Sequence, residues 1–472
     1  MSPGRDALRD GREYAKLCEA ARFRARREKG DVMRRQQRRS FLPALLGLLV
    51  VAALGYGGYV FFKDLDGPSI TVSPRTDRVS PASELTVVME DPSGVRSLAV
   101  GIRKNNTVNE IYRRHFDSYD TRREVRISMA KADLREGAFE LELKAADGSL
   151  AGFGQGNTRT LTLPMRLDTQ PPRLSVKTLP PNVRRGGSAV VRYTADEEIT
   201  RSGVLVAGYF VPGYRQKDGS YICFFPFPYT MTAQDFKKSV ELTATDLAGN
   251  TTRSGLTVMA YERKFKSDTL KLSDAFLQRV GDKLGAHAPA NLNPLERYLY
   301  INMNLRASNA ETLAKLLDQT AAAMLWEGAF RRMPRAMSVA NFADRRSCVY
   351  QGKEVGEYYH LGFDLASIKH DNVPAANNGR VIFVGDLGIY GNLIVIDHGL
   401  GLMTLYAHLS EFAVKVGDVV KKGDIIARTG SSGLAFGDHL HFGVLVGGVE
   451  VTPLEWLDPK WIKDNVTDRL AR

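Results

Sequence analysis

What most constrains this chain is a series of short apolar runs near its end, at residues 380–384, 392–396, 402–406, 424–428 and 442–446. Gly-Asp, His-Gly and Gly-Gly pairs separate them. Runs of this length bounded by turn formers read as strands. No long segment of 3.6-residue period interrupts them, so the expectation for residues 331–460 is an antiparallel sheet or small barrel-like sandwich with a surface groove.

Six of the eight histidines fall in this same region: His360, His370, His398, His408, His439 and His441. His439 and His441 flank one residue of an extended segment, so they face the same way. Such a pair can hold one metal ion, or hold it with one ring and act on substrate with the other; in a strand it can also be two satisfied polar residues. His360 and Asp364 can bring a nitrogen and a carboxylate oxygen together from one tight segment. Two histidines and one carboxylate give the three protein ligands of a catalytic zinc site, whose fourth position is left for water. The three cysteines, Cys18, Cys223 and Cys348, do not supply a closed structural set. His408 and the remaining histidine of the pair are then free for proton transfer or charge stabilisation.

The ordered motifs His360-x-x-x-Asp364, Tyr390-Gly-Asn392, Asp397-His398-Gly399, Tyr406-Ala-His408, Val416-Gly-Asp418 and Gly437-Asp-His439-Leu-His441 resemble the lysostaphin/LytM-type zinc metallopeptidases over roughly residues 335–455. The resemblance implies that His360, Asp364 and His441 hold Zn²⁺, that His408 and His439 are catalytic without binding metal, and that the substrate is a peptide cross-link or bridge of peptidoglycan. A glycine bridge and a D-Ala to diamino-acid link are both open, as is which histidine acts as base. Asp438 stands where the family often has proline, and Phe436 where a small residue is usual, which bears on substrate preference. His398 also matches a recurring family histidine, with a packing role expected; His370 has no motif role.

Residues 41–62 are uncharged and apolar, long enough at about 1.5 Å per residue to cross a hydrocarbon core of roughly 30 Å. Residues 1–40 carry thirteen Lys and Arg against six Asp and Glu. A single-pass anchor is expected, with a basic cytoplasmic tail and everything after it periplasmic or extracellular. A cleaved signal peptide is the competing reading, but its charged region and apolar core are normally shorter. Of the net charge of +12, +7 lies in residues 1–40, where Arg22–Arg27 and Arg34–Arg39 read as topology determinants meeting anionic lipid. No nucleic-acid partner is expected.

Between anchor and enzyme the chain is expected to be mostly β. Short strands recur over residues 68–168 and again over 171–262, each entered through a proline, which suggests two immunoglobulin-like sandwiches in tandem. The turn at Thr245-Asp-Leu-Ala-Gly-Asn250 is typical of such modules, and Ala145-Ala-Asp147 is its weaker counterpart. Residues 268–326 change character. Ser273 is an N-cap candidate, Asn293 a cap followed by Pro294, and Asn309 continues the pattern. This helical insert is a connector, or a regulatory element covering the groove.

The resulting expectation is a membrane-anchored zinc endopeptidase of the cell wall, with envelope or division proteins as further partners. A non-catalytic activator of another wall hydrolase, or a scaffold, is the alternative. An activator of this kind generally lacks some ligands, and this chain keeps all five key residues.

Overall fold

A computed structural model describes residues 43–59, 64–104, 107–132, 135–149 and 154–471. The basic tail at 1–40, with Cys18, lies outside the described residues. So do the ends of the expected membrane segment, 41–42 and 60–62. The rest of that segment, residues 43–59, is a helix whose leucines and valines are exposed. Among the described residues no helix is long and apolar enough to cross a membrane.

The chain divides into two compact units, residues 1–167 and 168–472. The first contains a β-sandwich. Strands Ser69–Ser73, Glu84–Glu90 and Arg122–Ser128 form one sheet, and five strands including Val95–Lys104 and Gly137–Asp147 form the other. Period-two patterning makes this fold: Leu85, Val87 and Met89 enter the core while Glu84 and Glu90 stay exposed.

A second sandwich opens the second unit, with two four-stranded sheets built on Ser188–Ala195 and Ile199–Val206. The two sandwiches share a signature. Asn157 donates from its amide to Asp147 Oδ2 at 2.9 Å and to the Asp64 carbonyl at 3.0 Å. Asn250 does the same to Asp246 Oδ2 at 2.9 Å and to the Asp168 carbonyl at 3.0 Å. Each asparagine thus ties the entry of its module to its final turn.

The C-terminal domain is built on strands β1 (Ser267–Leu272), β2 (Met337–Ala340), β3 (Asp344–Tyr350), β4 (Lys353–His360), β5 (Phe363–Ala366), β6 (Gly379–Asp386), β7 (Asn392–Asp397), β8 (Leu402–Ala407) and β9 (Leu440–Val446). Its main sheet runs β2-β5-β9-β8-β7-β6 and is extended by short strands, while β1, β3 and β4 form a separate three-stranded sheet. Every residue of β8 and β9 is buried. Continuous apolar runs in place of alternation follow from a sheet covered on both faces.

One face packs with Trp326, Phe330, Trp456 and, from the second sandwich, Val190, Ile222 and Phe224. The second sandwich and the C-terminal domain therefore share a core. The other face is covered by the helical insert, α1 (Asp274–Leu284), α2 (Pro294–Tyr300) and α3 (Arg306–Lys315), through Leu277, Val280, Tyr298, Ile301 and Leu313. This insert is a packed layer of the domain. Ser273 caps α1 by accepting from the Phe276 N–H at 3.2 Å, and Asn293 and Glu296 form a capping box on α2 behind Pro294. Asn309 departs from the sequence expectation: it is no cap but lies inside α3, buried, accepting from the Ile389 N–H at 3.0 Å. Cys223 and Cys348 are both free and buried.

Candidate metal centre and active-site cleft

The register of the sheet places the cluster. On adjacent antiparallel strands, Asp364 of β5 stands directly opposite His441 of β9, and His441 opposite Ala407 of β8, one residue before His408. His360 ends β4, and the chain returns into β5 through Leu361 and Gly362. A β-carbon at 362 would stand 2.6 Å from His441 Nε2. Glycine there lets the turn lie against the histidine ring.

Three atoms converge. His360 Nε2 lies 2.9 Å from Asp364 Oδ1 and 3.0 Å from His441 Nδ1, and His441 Nδ1 lies 2.9 Å from Asp364 Oδ1. His360 Nδ1 is 2.9 Å from the Asn341 carbonyl, which can only accept. It therefore carries the proton, and His360 Nε2 presents a lone pair when the ring is neutral. His441 Nε2 is buried without a partner. Burial would push Asp364 up, but the adjoining imidazoles of His360, His439 and His441 hold it well below the usual carboxylate range. Burial pushes the His441 imidazole down to about 4.

His408 and His439 stand beside this trio, their ring centres 4.9 Å apart. His408 is held in the left-handed backbone region at φ 61° by its N–H to the Tyr390 carbonyl at 2.9 Å. Its Nδ1 donates to the Ser432 carbonyl at 2.9 Å. Burial and the neighbouring histidines push its pKa well below the ordinary value, so it is neutral. His439 Nδ1 donates to the Gly437 carbonyl at 2.9 Å, and its Nε2 lies 3.5 Å from Asp364 Oδ1. Burial lowers its pKa, but Asp364 outweighs this and the net direction is upward.

The sequence-derived residues thus fall into one cleft of about 280 Å³. His398 and His370 lie elsewhere. His398 is fully buried between the Asn378 carbonyl at 2.7 Å and Thr404 Oγ1 at 2.8 Å. His370 is exposed, its N–H donating to Asp438 Oδ2 at 3.2 Å. Asp438, in the position where the family often has proline, also accepts from Thr429 Oγ1 at 2.6 Å and so braces the loop before His439.

Further residues support or line the cleft; of these only Tyr390 belongs to a motif named from the sequence. Ser432 orients His408 through its carbonyl, while its hydroxyl accepts from the Asn392 N–H at 2.9 Å. Tyr390 lies with its ring centre 5.8 Å from that of His441 and donates to Glu450 Oε1 at 3.1 Å. Phe276, Tyr298 and Arg306 reach the cleft from the helical insert, and Arg346 and Tyr358 from the β3–β4 hairpin.

The model of peptidase family M23 matches residues 358–453, which hold all five clustered residues. Residues 358–453 form a peptidase family M23 domain.

Three curated relatives match stretches of similar length. A DD-carboxypeptidase/endopeptidase Mpg of Neisseria meningitidis serogroup B is 40% identical over 95 residues, 20% of this chain and 22% of the relative. A peptidoglycan DD-endopeptidase ShyB of Vibrio cholerae is 36% identical over 124 residues, 25% and 28% of the two chains. A murein hydrolase activator NlpD of Salmonella dublin is 38% identical over 97 residues, 20% and 26%. In each case the matched stretch spans less than a third of the relative's own length.

Proposed function

We propose that this chain is a zinc-dependent endopeptidase that hydrolyses peptide cross-links of peptidoglycan. The convergence of His360 Nε2, Asp364 Oδ1 and His441 Nδ1 carries the reading. Three lone-pair atoms within 3.0 Å of one another repel unless a cation or shared protons lie between them. In a ring that ligates through Nδ1 the proton sits on Nε2, the His441 nitrogen that is buried without a protein partner. Two imidazole nitrogens and one carboxylate oxygen suit zinc with an open fourth position. When bound there, zinc would polarise the substrate carbonyl and acidify water.

The remaining steps belong to side chains. His408 is neutral, and with Nδ1–H spent on the Ser432 carbonyl its Nε2 accepts a proton from the attacking water and passes it to the leaving amine. His439, with Nδ1–H held by the Gly437 carbonyl, has its other nitrogen beside Asp364 and lends positive charge as the oxyanion develops.

Anchoring by residues 41–62, with the tail cytoplasmic and the domains that follow in the periplasm or outside the cell, belongs to the same proposal. It is supported by the apolar stretch and its basic flank. The immunoglobulin-like character of the sandwiches and contacts with envelope or division proteins are likewise proposed. The relative named as a murein hydrolase activator supports a second reading, in which the chain switches on another hydrolase. Digestion of purified sacculi by the full chain separates the two. The endopeptidase reading expects chelator-sensitive release of peptides with new amino termini; intact sacculi with zinc bound favour the activator.

A further inference from the structure

The cleft beside the histidine cluster has a cationic wall. On the β3–β4 hairpin, Asp344 pairs with His360 and Arg346 with Tyr358. Residues two apart on a strand share a face, so Arg346, Tyr358 and His360 lie on one side of the hairpin. The Arg346–Tyr358 pair is one such step, about 7 Å, from His360. Arg346 Nη1 approaches Tyr358 Oη at 3.5 Å. From the other side, Arg306 of α3 stacks over the Tyr358 ring at 5.2 Å, and its Nη2 donates to Asn302 Oδ1 at 3.3 Å. Arg306 Nε is buried with no partner.

Among the described residues neither guanidinium is ion-paired with a carboxylate. The acids whose fields reach them are engaged elsewhere. Asp364 is held by three histidines, Asp344 Oδ2 accepts from the Asn341 N–H at 2.9 Å, and Glu450 Oε1 accepts from Tyr390 at 3.1 Å. Other arginines of the same unit do find partners, as Arg263 with Glu455 and Arg192 with Asp218. Two partly buried guanidiniums sharing one tyrosine repel each other and are poorly compensated. A planar anion satisfies both, and a carboxylate matches the guanidinium fork.

We propose that Arg306 and Arg346 form a subsite for a free carboxylate of the substrate peptide, one strand step from His360. The inference rests on the peptidase reading and sharpens its substrate class. The favoured peptides carry a carboxylate within about one residue of the scissile bond; neutral bridges are disfavoured. The helical insert, through Arg306, thereby becomes part of substrate recognition.

The test uses the full chain and two synthetic branched peptides, identical except that the carboxylate next to the scissile bond is free or amidated. Wild type should prefer the free acid in kcat/KM by on the order of ten- to a hundred-fold, the range of a hydrogen bond to a charged group. In Arg346→Gln and in Arg306→Gln that preference should fall towards one, with zinc content unchanged. An acid-to-amide preference near one in wild type overturns the proposal, as does a preference that survives both substitutions while overall rates fall. If wild type loaded with zinc cleaves neither peptide, the peptidase reading has failed, and equilibrium binding of the same pair decides the subsite. Tighter binding of the acid, abolished in Arg346→Gln, upholds it; equal binding refutes it.

Discussion

The five clustered residues divide by what their removal should do. Asp364→Ala deletes the oxygen that touches three histidines and should lose zinc and activity together. His408→Ala should keep zinc and lose rate by roughly 10²–10⁴, the range for one acid–base group, as metal analysis beside initial rates will show. His398 offers a test of stability that does not involve the cluster. It is fully buried, and burial depresses its imidazole from 6.5 to about 4. Above about 6.5 the ring is neutral folded or unfolded; as pH falls from about 6.5 to about 4 only the unfolded chain takes the proton. Stability should therefore drop across that window by on the order of 3 kcal/mol and level off below it. Urea unfolding of His398→Gln between pH 4 and 7 should show a slope shallower by about one proton, and an unchanged slope would contradict the assignment.

At the scale of elements, the turn between β4 and β5 and the contact of α1 with the cleft rim make separable predictions. Gly362→Ala forces a β-carbon against the His441 ring, so zinc affinity should fall roughly ten- to a hundred-fold while the far-ultraviolet circular dichroism is unchanged. On the rim, Lys283 Nζ donates to the carbonyls of Ser431 and Ala435, and Phe276 packs on Phe436 with ring centres 4.9 Å apart. Lys283→Ala should speed amide exchange over residues 431–437, and unchanged protection there would mean that the loop is held by its own turns. The two contacts mark where sequence reading reached its limit. Strands 392–396 and 442–446 were legible from length and punctuation, and Ser273 and Asn293 from their positions before helical runs. The approach of His360 to Asp364 was legible because the two sit on one segment. Arg306 and Phe276 were not legible as cleft residues, since helical spacing gives the buried face of a helix but not which sheet it covers. Asn309 looked like a cap because its local sequence fits one; the tertiary bond to Ile389 decided otherwise.

Across the whole molecule, the second sandwich supports the M23 domain through a shared core. Glu455, 5% exposed in the C-terminal domain, pairs with Arg263 Nη2 at 3.0 Å and accepts from the Ser188 N–H of the sandwich at 3.0 Å. Phe224 of the sandwich packs edge-on against Trp456, ring centres 5.7 Å apart. Glu455→Ala leaves Arg263 without its charge partner and should destabilise by about 3–5 kcal/mol. Calorimetry should show sandwich and peptidase domain unfolding in one transition, at a lower temperature in that variant; two separate transitions would contradict the shared core. The first sandwich has its own core and should unfold on its own. If zinc held by His360, Asp364 and His441 makes this chain a peptidase, one titration will show it. Zinc is added to the metal-free full chain while peptide release from sacculi is followed. Activity should rise to a plateau at one zinc per chain, with no rise in His441→Ala. Full activity without added metal, or an equal rise in His441→Ala, would contradict it.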